Sequence, residues 1–495
     1  PINTFLSMNP SQTNNNDISN NKELSIFEAL IPIVALILML FYNVFFVFGD
    51  DALKGSNQFI LLLGAAIAAI LGFLKKTSYT KMLNEISENL KSTSGALLIL
   101  LMVGALSGTW LTSGVIPTMI YYGLQLLNPT FFLVATVIIC AIISIVTGSS
   151  WTTSATVGIA LIGIGETLGV SLGMTAGAVL SGAYFGDKMS PLSDTTNLSP
   201  AMAGAELFKH IKYMAITTVP TFAITLILFF VIGFNIEING TPNISDKLEA
   251  INQAFNISPW LMLVPIAVVV LIVKKTPPLV ALLAGTLLAA LASILAQQQI
   301  LMSIAEANSF NFETAYKGVM QSITVDTSVE TSSTDLNDLF SSGGMQGMLD
   351  TIWLIICAMV FGGVMDAIGA LSKISKTLLS FSTSTFGLFA STVASCLALN
   401  VTASDQYLAL VIPGKMFKKA YEDKGLAPEN LSRTLEDSGT VTSVLVPWNT
   451  CGAFQSSVLG VSVADYFAYA FFNWISPFMT LLVAGLSLKI KQLRS

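Results

Sequence analysis

The chain has 495 residues, 53% hydrophobic and only 11% charged, with a formal net charge of −6 and a mean hydropathy of +0.73. Soluble domains carry about 25% charged residues, so a soluble globular protein is excluded. The many apolar runs close to the ~20 residues that cross a bilayer make this a polytopic, all-α membrane protein. The basic residues sit at segment ends rather than on one face, so lipid is the expected partner and nucleic acid is not.

Residues 1–24 are rich in Asn, Ser and Gln and lack the basic start and short apolar core of a cleaved signal peptide. A disordered tail is expected. Apolar runs follow at 26–48, 58–74, 95–116, 130–147, 152–170, 173–189 and 211–234. A second set covers 259–273, 278–296, 351–370, 384–400, 404–414, 431–446, 454–472 and 474–490. Cys140, Cys357, Cys396 and Cys451 lie in these runs without regular spacing, so they read as buried small residues rather than disulfides or metal ligands.

Lysine and arginine in short loops mark the cytoplasmic side. Lys75, Lys76, Lys81, Lys209, Lys212, Lys274, Lys275, Lys373, Lys376, Lys415 to Arg433, and Lys489 to Arg494 belong there. Asp50, Asp51, Glu237 and the acidic loop 297–350 belong outside. These assignments agree only if 130–170 enters and leaves from outside, and 384–414 enters and leaves from the cytoplasm. Each is then a re-entrant hairpin, which must be sheltered by protein or line a cavity.

The chain then divides into two inverted repeats, 25–235 and 258–490, joined by an outer loop at 236–257. Each holds a hairpin and a broken helix, at 173–204 and 431–472. About 10–11 spanning segments plus two hairpins result, with both termini cytoplasmic in a cell inner membrane. Inverted repeats place a site near the bilayer midplane. The stretch 297–350 reads as a mobile connection. Residues 78–92 and 371–383 read as linkers along the membrane surface, the second amphipathic.

Polar residues at membrane depth are candidate function. The stretch Ser181–Gly204 carries Asp187, Lys188 and Asp194, with Ser190-Pro191 and Ser199-Pro200 breaking the helix among them. Three further patches lie at Gly148–Ser154, Thr402–Gln406 and Glu436–Thr450. Their hydroxyls, amides, carboxylates and freed carbonyls suit a hard cation such as Na+. Asp194 is an ion ligand, a proton carrier or a helix N-cap. Asp187 pairs with Lys188, for proton coupling or for structure. Asp405 sits at the turn of the second hairpin, where an unpartnered carboxylate is costly. Glu436 and Asp437 belong to the site or to a surface salt bridge near Arg433. Asp366 suits an interface, and Glu166 and His210 a solvated position. Gly173, Gly177, Gly182 and Gly186 suit close helix packing. Trp151 and Trp448 shape a pocket or pack.

At 182–204 the sequence GAYFGDKMSPLSDTTNLSPAMAG resembles the NhaC-type sodium/proton antiporter family. It is similar also at GSSWTTSATVG (148–158), NVTASDQYLALVIPG (400–414) and LEDSGTVTSVLVPWNTCGA (435–453). The resemblance implies an integral transporter with inverted repeats, two hairpins and two broken helices. It also implies a homodimer whose transport domain moves against a scaffold. Ser193, Asp194 and Thr195 with Ser149 and Ser150 would form one half-site. Asn449 and Thr450 with Ser404 and Asp405 would form the other. Na+ would be held among Ser149, Ser193, Asp194, Ser404, Asp405, Asn449 and Thr450, with Na+ and H+ as transported ions and no cofactor. The family also includes malate/lactate-type exchangers and amino-acid carriers. No Arg at membrane depth offers a carboxylate clamp, which favours ions, although a helix amide terminus can replace one. Na+/H+ antiport is therefore expected, with exchange or symport of a small organic anion or amino acid as the alternative. Paired hairpins disfavour a channel, and no nucleophile–base pair or metal set suggests an enzyme.

Overall fold

The computed structural model describes residues 23–48, 52, 54–235, 244–337 and 339–493. The tail 1–22, Asp50, Asp51, Glu237 and Arg494 lie outside these. The chain runs through α1 (Ile26–Tyr42, continued by a π turn Asn43–Phe48), α2 (Ser56–Leu74), α3 (Tyr79–Thr112), α4 (Val115–Leu126) and α5 (Pro129–Thr147). It turns into α6 (Ser150–Thr153), a π segment (Ser154–Gly158) and α7 (Ile159–Thr167), then α8 (Leu172–Met189), α9 (Asp194–Ala203) and α10 (Leu207–Asn235). α11 (Ile244–Ala254), α12 (Leu263–Val273) and α13 (Pro278–Ala296) follow. The long connection holds α14 (Gln298–Ile304), α15 (Phe312–Thr324), β1 (Thr327–Ser328), α16 (Thr334–Asn337) and β2 (Ser341–Ser342). α17 (Leu349–Ala367), α18 (Ala370–Ser380), α19 (Thr385–Thr402), α20 (Gln406–Asp423), α21 (Pro428–Leu435), α22 (Thr450–Leu459), α23 (Val463–Phe467) and α24 (Phe471–Gly485) complete it.

Among the described residues eight helices are long and apolar enough to cross a membrane, or nine if α11 and the Pro259–Val273 segment, bent by 87°, count as one. This is a multi-pass membrane protein. Fewer helices qualify than the 10–11 expected segments because the polar, interrupted ones fall short. α8 carries Asp187 and Lys188, and α22 is only ten residues long. Large apolar side chains such as Phe27, Leu63, Ile227 and Leu287 remain exposed on the spans, as a lipid-facing surface requires.

Two expectations are corrected. Residues 78–92 are not a separate linker. Ser78 caps a helix that runs unbroken through 34 residues to Thr112, and no Pro or αL glycine interrupts it. The connection 297–350 folds in short pieces, with β1 and β2 paired antiparallel, Thr327 opposite Ser342. It docks on the small-residue face of α3: Gly104 abuts the Gly344 carbonyl, Gly108 abuts that of Ser322, and the Ser342 hydroxyl reaches Ser107 at 3.3 Å. The four glycines of α8 do serve packing. Gly182 and Gly186 admit the α5 backbone at Val137 and Ala141, and Gly173 and Gly177 admit Asp465 and Tyr469. The Ser144 hydroxyl donates to the Ala183 carbonyl at 2.6 Å across the same α5–α8 contact. All four cysteines are buried and free.

Candidate functional site

Four helices begin around one place, each with a polar N-cap. Ser149 caps α6, its Oγ accepting from Thr152 N at 3.1 Å. Ser193 caps α9, accepting from Thr196 N at 3.4 Å. Asp405 caps α20, accepting from Tyr407 N at 2.8 Å and Leu408 N at 3.0 Å. Asn449 caps α22, accepting from Cys451 N at 3.0 Å. The first-turn amides of a helix lack intrahelical partners, which is why polar side chains gather at these four points.

Each turn is pressed against a neighbouring break. α5 ends at Gly148 with φ +70°, a conformation that disfavours any residue with a Cβ. A Cβ there would lie 2.6 Å from Leu192 Cβ, so the 147–149 turn rests directly on the Pro191-Leu192 break. Ser190-Pro191 stops α8, and the Thr196 hydroxyl stitches the broken end together by donating to the carbonyls of Lys188 (3.0 Å) and Asp187 (3.2 Å). In the second pair, Thr450 N donates to the Ser404 carbonyl at 3.0 Å and Asn449 Nδ2 to the Asn400 carbonyl at 3.0 Å. Trp448 Nε1 donates to the Val401 carbonyl at 2.8 Å. Ser404 holds φ +59°, strained for a residue with a Cβ, and its buried hydroxyl has no hydrogen-bond partner among the described residues.

These turns surround a cavity of about 470 Å3. Ser149, Asp187, Ser193, Asp194, Thr195, Asp405 and Thr450 line it, joined by Trp151, Gln406 and Tyr407. Its far wall comes from Ser92, Thr93, Gly95 and Ala96 of α3 and from Lys275 to Pro278 in the α12–α13 turn. Of the ten candidate residues, seven thus face one cavity. Ser150 stands behind it, giving Asp187 Oδ2 both its hydroxyl (2.6 Å) and its amide (3.1 Å). Ser404 and Asn449 hold the second turn without lining the cavity. The α3 and α12–α13 wall carried no sequence signal beyond the small, polar run Ser92–Ala96.

The carboxylates differ in setting. Asp405 is buried and committed to its cap, and Asp187 is buried and bonded to Ser150. Asp194 is exposed in the cavity. It is not the N-cap, which is Ser193, and makes no hydrogen bond or ion pair with the described residues. Among the described residues no three His, Cys, Asp or Glu side chains are grouped as a metal centre would group them. The three aspartates share a cavity, not a single coordination point.

Several charge expectations are corrected. Lys188 does not pair with Asp187. It forms an ion pair with Asp437, both side chains wholly buried, and Asp437 also accepts from the Thr480 hydroxyl. Neighbours on a helix point about 100° apart, so Asp187 turns to the cavity and Lys188 away from it. Glu436 is buried and accepts from Ser199 Oγ at 2.8 Å, not from a surface cation. Arg433 is fully buried between the rings of Tyr213 (4.7 Å) and Phe389 (5.8 Å). His210 is buried too, its Nδ1 2.8 Å from Ser432 Oγ. Glu166 and Asp366 are half-buried. Trp151 stacks on Phe454 with centroids 4.0 Å apart, so it both packs and lines the cavity.

The model of the Na+/H+ antiporter family matches residues 182–486, taking in Asp187, both breaks and the second turn. The Na(+)/H(+) antiporter NhaC of Alkalihalophilus pseudofirmus is 37% identical over 88% of this chain and 92% of its own length. The chain belongs to the Na+/H+ antiporter family. It is a transporter of antiporter type and not an enzyme. It is similar also to the malate-2H(+)/Na(+)-lactate antiporter of Bacillus subtilis, 38% identical over 91% of this chain and 92% of that one. The arginine/ornithine antiporter ArcD of Halobacterium salinarum is 33% identical over 94% of this chain and 93% of that protein. Ser149 and Ser150 precede the family match, yet the fold brings them to Asp187, which lies within it.

Proposed function

We propose that the chain exchanges Na+ for protons by alternating access through this cavity. The observation that carries the reading is the set of three carboxylates, Asp187, Asp194 and Asp405, brought to one cavity by the end of α8 and the starts of α9 and α20. A carboxylate binds Na+ only when ionised, so each proton taken up lowers its attraction for the cation. Hydroxyls of Ser149, Ser193, Thr195 and Thr450 are the neutral oxygens that complete the shell of a hard cation. The cavity wall includes Lys275, in a lysine-bearing turn of the kind that marks the cytoplasmic side, which supports reading the cavity as inward-facing.

Two inverted repeats, 25–235 and 258–490, each with a re-entrant hairpin and a broken helix, account for this geometry. In support, the separation between the caps Ser149 and Ser193 equals that between Asp405 and Asn449. The first hairpin is then 130–170 and the second 384–414, with their turns at the two sets of caps.

A second reading, exchange of a small organic solute, is favoured by the cavity's size and by the malate/lactate and arginine/ornithine antiporters among the relatives. The test is Na+-driven proton movement in proteoliposomes. Asp194→Asn, which removes the one carboxylate without a structural bond, should abolish exchange and leave thermal stability within about 0.5 kcal/mol. Full antiport in that variant refutes the assignment.

A further inference from the structure

We propose that the cavity also admits an organic cation: an aliphatic solute bearing one or more protonated primary amines. The proposal rests on the cavity being the transport site, and names what that site accepts besides Na+. A volume of about 470 Å3 falls in the ~300–1,000 Å3 range of small-molecule sites, whereas a single dehydrated ion fills little of it.

The charge is of one sign at depth. Asp187, Asp194 and Asp405 face the cavity, against one ammonium, Lys275, exposed at its rim. The carboxylates are spread out rather than grouped around a point. A single ion cannot meet them all, but a chain with donors at both ends can bridge them.

Converging helix N-termini are ordinarily anion sites. Here the chain has occupied several of their amides itself. Ser150 N donates to Asp187, Thr152 N to Ser149, Thr196 N to Ser193, Tyr407 N and Leu408 N to Asp405, and Cys451 N to Asn449. Those amides are not free for a substrate carboxylate, and among the described residues no arginine lines the cavity. Two aromatic side chains do, Trp151 and Tyr407. Phe454 covers one face of the indole, and Trp151 is among the residues lining the cavity. An alkyl ammonium gains there from both cation–π attraction and burial of its methylenes.

The test uses the full-length protein in proteoliposomes, with protein-free liposomes as the control for passive amine entry. 22Na+ uptake is measured with 1,4-diaminobutane or malate present, and labelled diamine entry is followed against a Na+ gradient at equal pH. Diamine should compete with Na+ and exchange for it, and malate should do neither. Trp151→Leu should raise the diamine inhibition constant by about five-fold relative to any change in the Na+ KM, and Trp151→Phe by less than about two-fold. Sodium exchange untouched by diamine overturns this proposal and leaves Na+/H+ antiport standing. Stronger competition by malate overturns it as well. Where no Na+ flux is seen, thermal unfolding of the detergent-purified protein separates the cases. A melting shift with diamine but not with Na+ keeps the organic cation and removes the ion. No shift with either removes both.

Discussion

Asp437→Asn should be among the most destabilising single substitutions in the chain. Lys188 and Asp437 have no exposed side-chain surface, and Asp437 is the only ion-pair partner of Lys188 among the described residues. Removing one partner of a buried pair leaves the other charge uncompensated, at about 3–5 kcal/mol. The Phe472 ring lies 5.7 Å from the ammonium with or without the Asp437 carboxylate, so it does not reduce the difference. A loss of about 3–5 kcal/mol is expected. Asparagine still accepts from Thr480, so that hydroxyl is not orphaned. The double variant Lys188→Met/Asp437→Asn removes the charge as well as its partner and should recover at least half of the loss, because a buried pair contributes little beyond neutralising itself. The assay is thermal unfolding of detergent-purified protein at one fixed scan rate, since membrane proteins often unfold irreversibly. A double variant as unstable as Asp437→Asn, or a single variant as stable as the parent, refutes the reasoning.

Three further outcomes follow from the site. Gly148→Ala places a Cβ 2.6 Å from Leu192 at a φ of +70°, so it should lose about 1–3 kcal/mol in thermal unfolding and most of the transport rate in vesicles. Ser150→Ala deletes the hydroxyl bonded to Asp187 at 2.6 Å. The loss of a hydrogen bond to a charged group, about 1.5–3 kcal/mol, should appear as a raised Na+ KM in flux assays. Lowering the pH on the cavity side should raise the Na+ KM by up to about tenfold per unit, with Vmax unchanged, if one proton displaces one ion. A KM flat across pH 6–9 counts against competition at the carboxylates.

What the sequence made legible was punctuation. Pro191 stops α8 as Ser190-Pro191 leads one to expect, by a rule that acts within a few residues, whereas Pro200 sits inside α9 and the cap before it is Ser193 rather than Asp194. Polar residues at those points, in a chain otherwise apolar, located the site. Partners far apart in sequence were not legible. Asp187 and Lys188 looked like a pair because they are adjacent, but helix geometry sends adjacent side chains apart, and nothing local identifies Asp437. The basic residues at span ends misled for a different reason. His210 and Arg433 look solvated where chain meets loop, yet the segment 489–493 folds back over that end. Ala427 N donates to the Lys491 carbonyl at 2.9 Å, Leu493 N to the Gly425 carbonyl at 2.7 Å, and Tyr213 OH to the Lys489 carbonyl at 2.8 Å.

The bonds around the cavity fall into two groups, and the difference bears on how it closes. Both turns and both breaks are tied to one another by buried contacts that cross the chain's two halves: Lys188 with Asp437, Ser199 with Glu436, and Trp151 with Phe454. Among the described residues no hydrogen bond ties the opposite wall to them, although α3 packs against α22 and α12 against α5. Ser92 and Thr93 bond only within α3, and Thr276 bonds within its own turn. Separating the halves would expose an ion pair and unstack two rings. Sliding the bonded body past α3 and the α12–α13 turn breaks none of these contacts. The second motion keeps the buried ion pair and the stacked rings intact, so alternating access by the proposed mechanism should carry Asp187, Asp194 and Asp405 together, with Asp437 neutralising Lys188 in both end states.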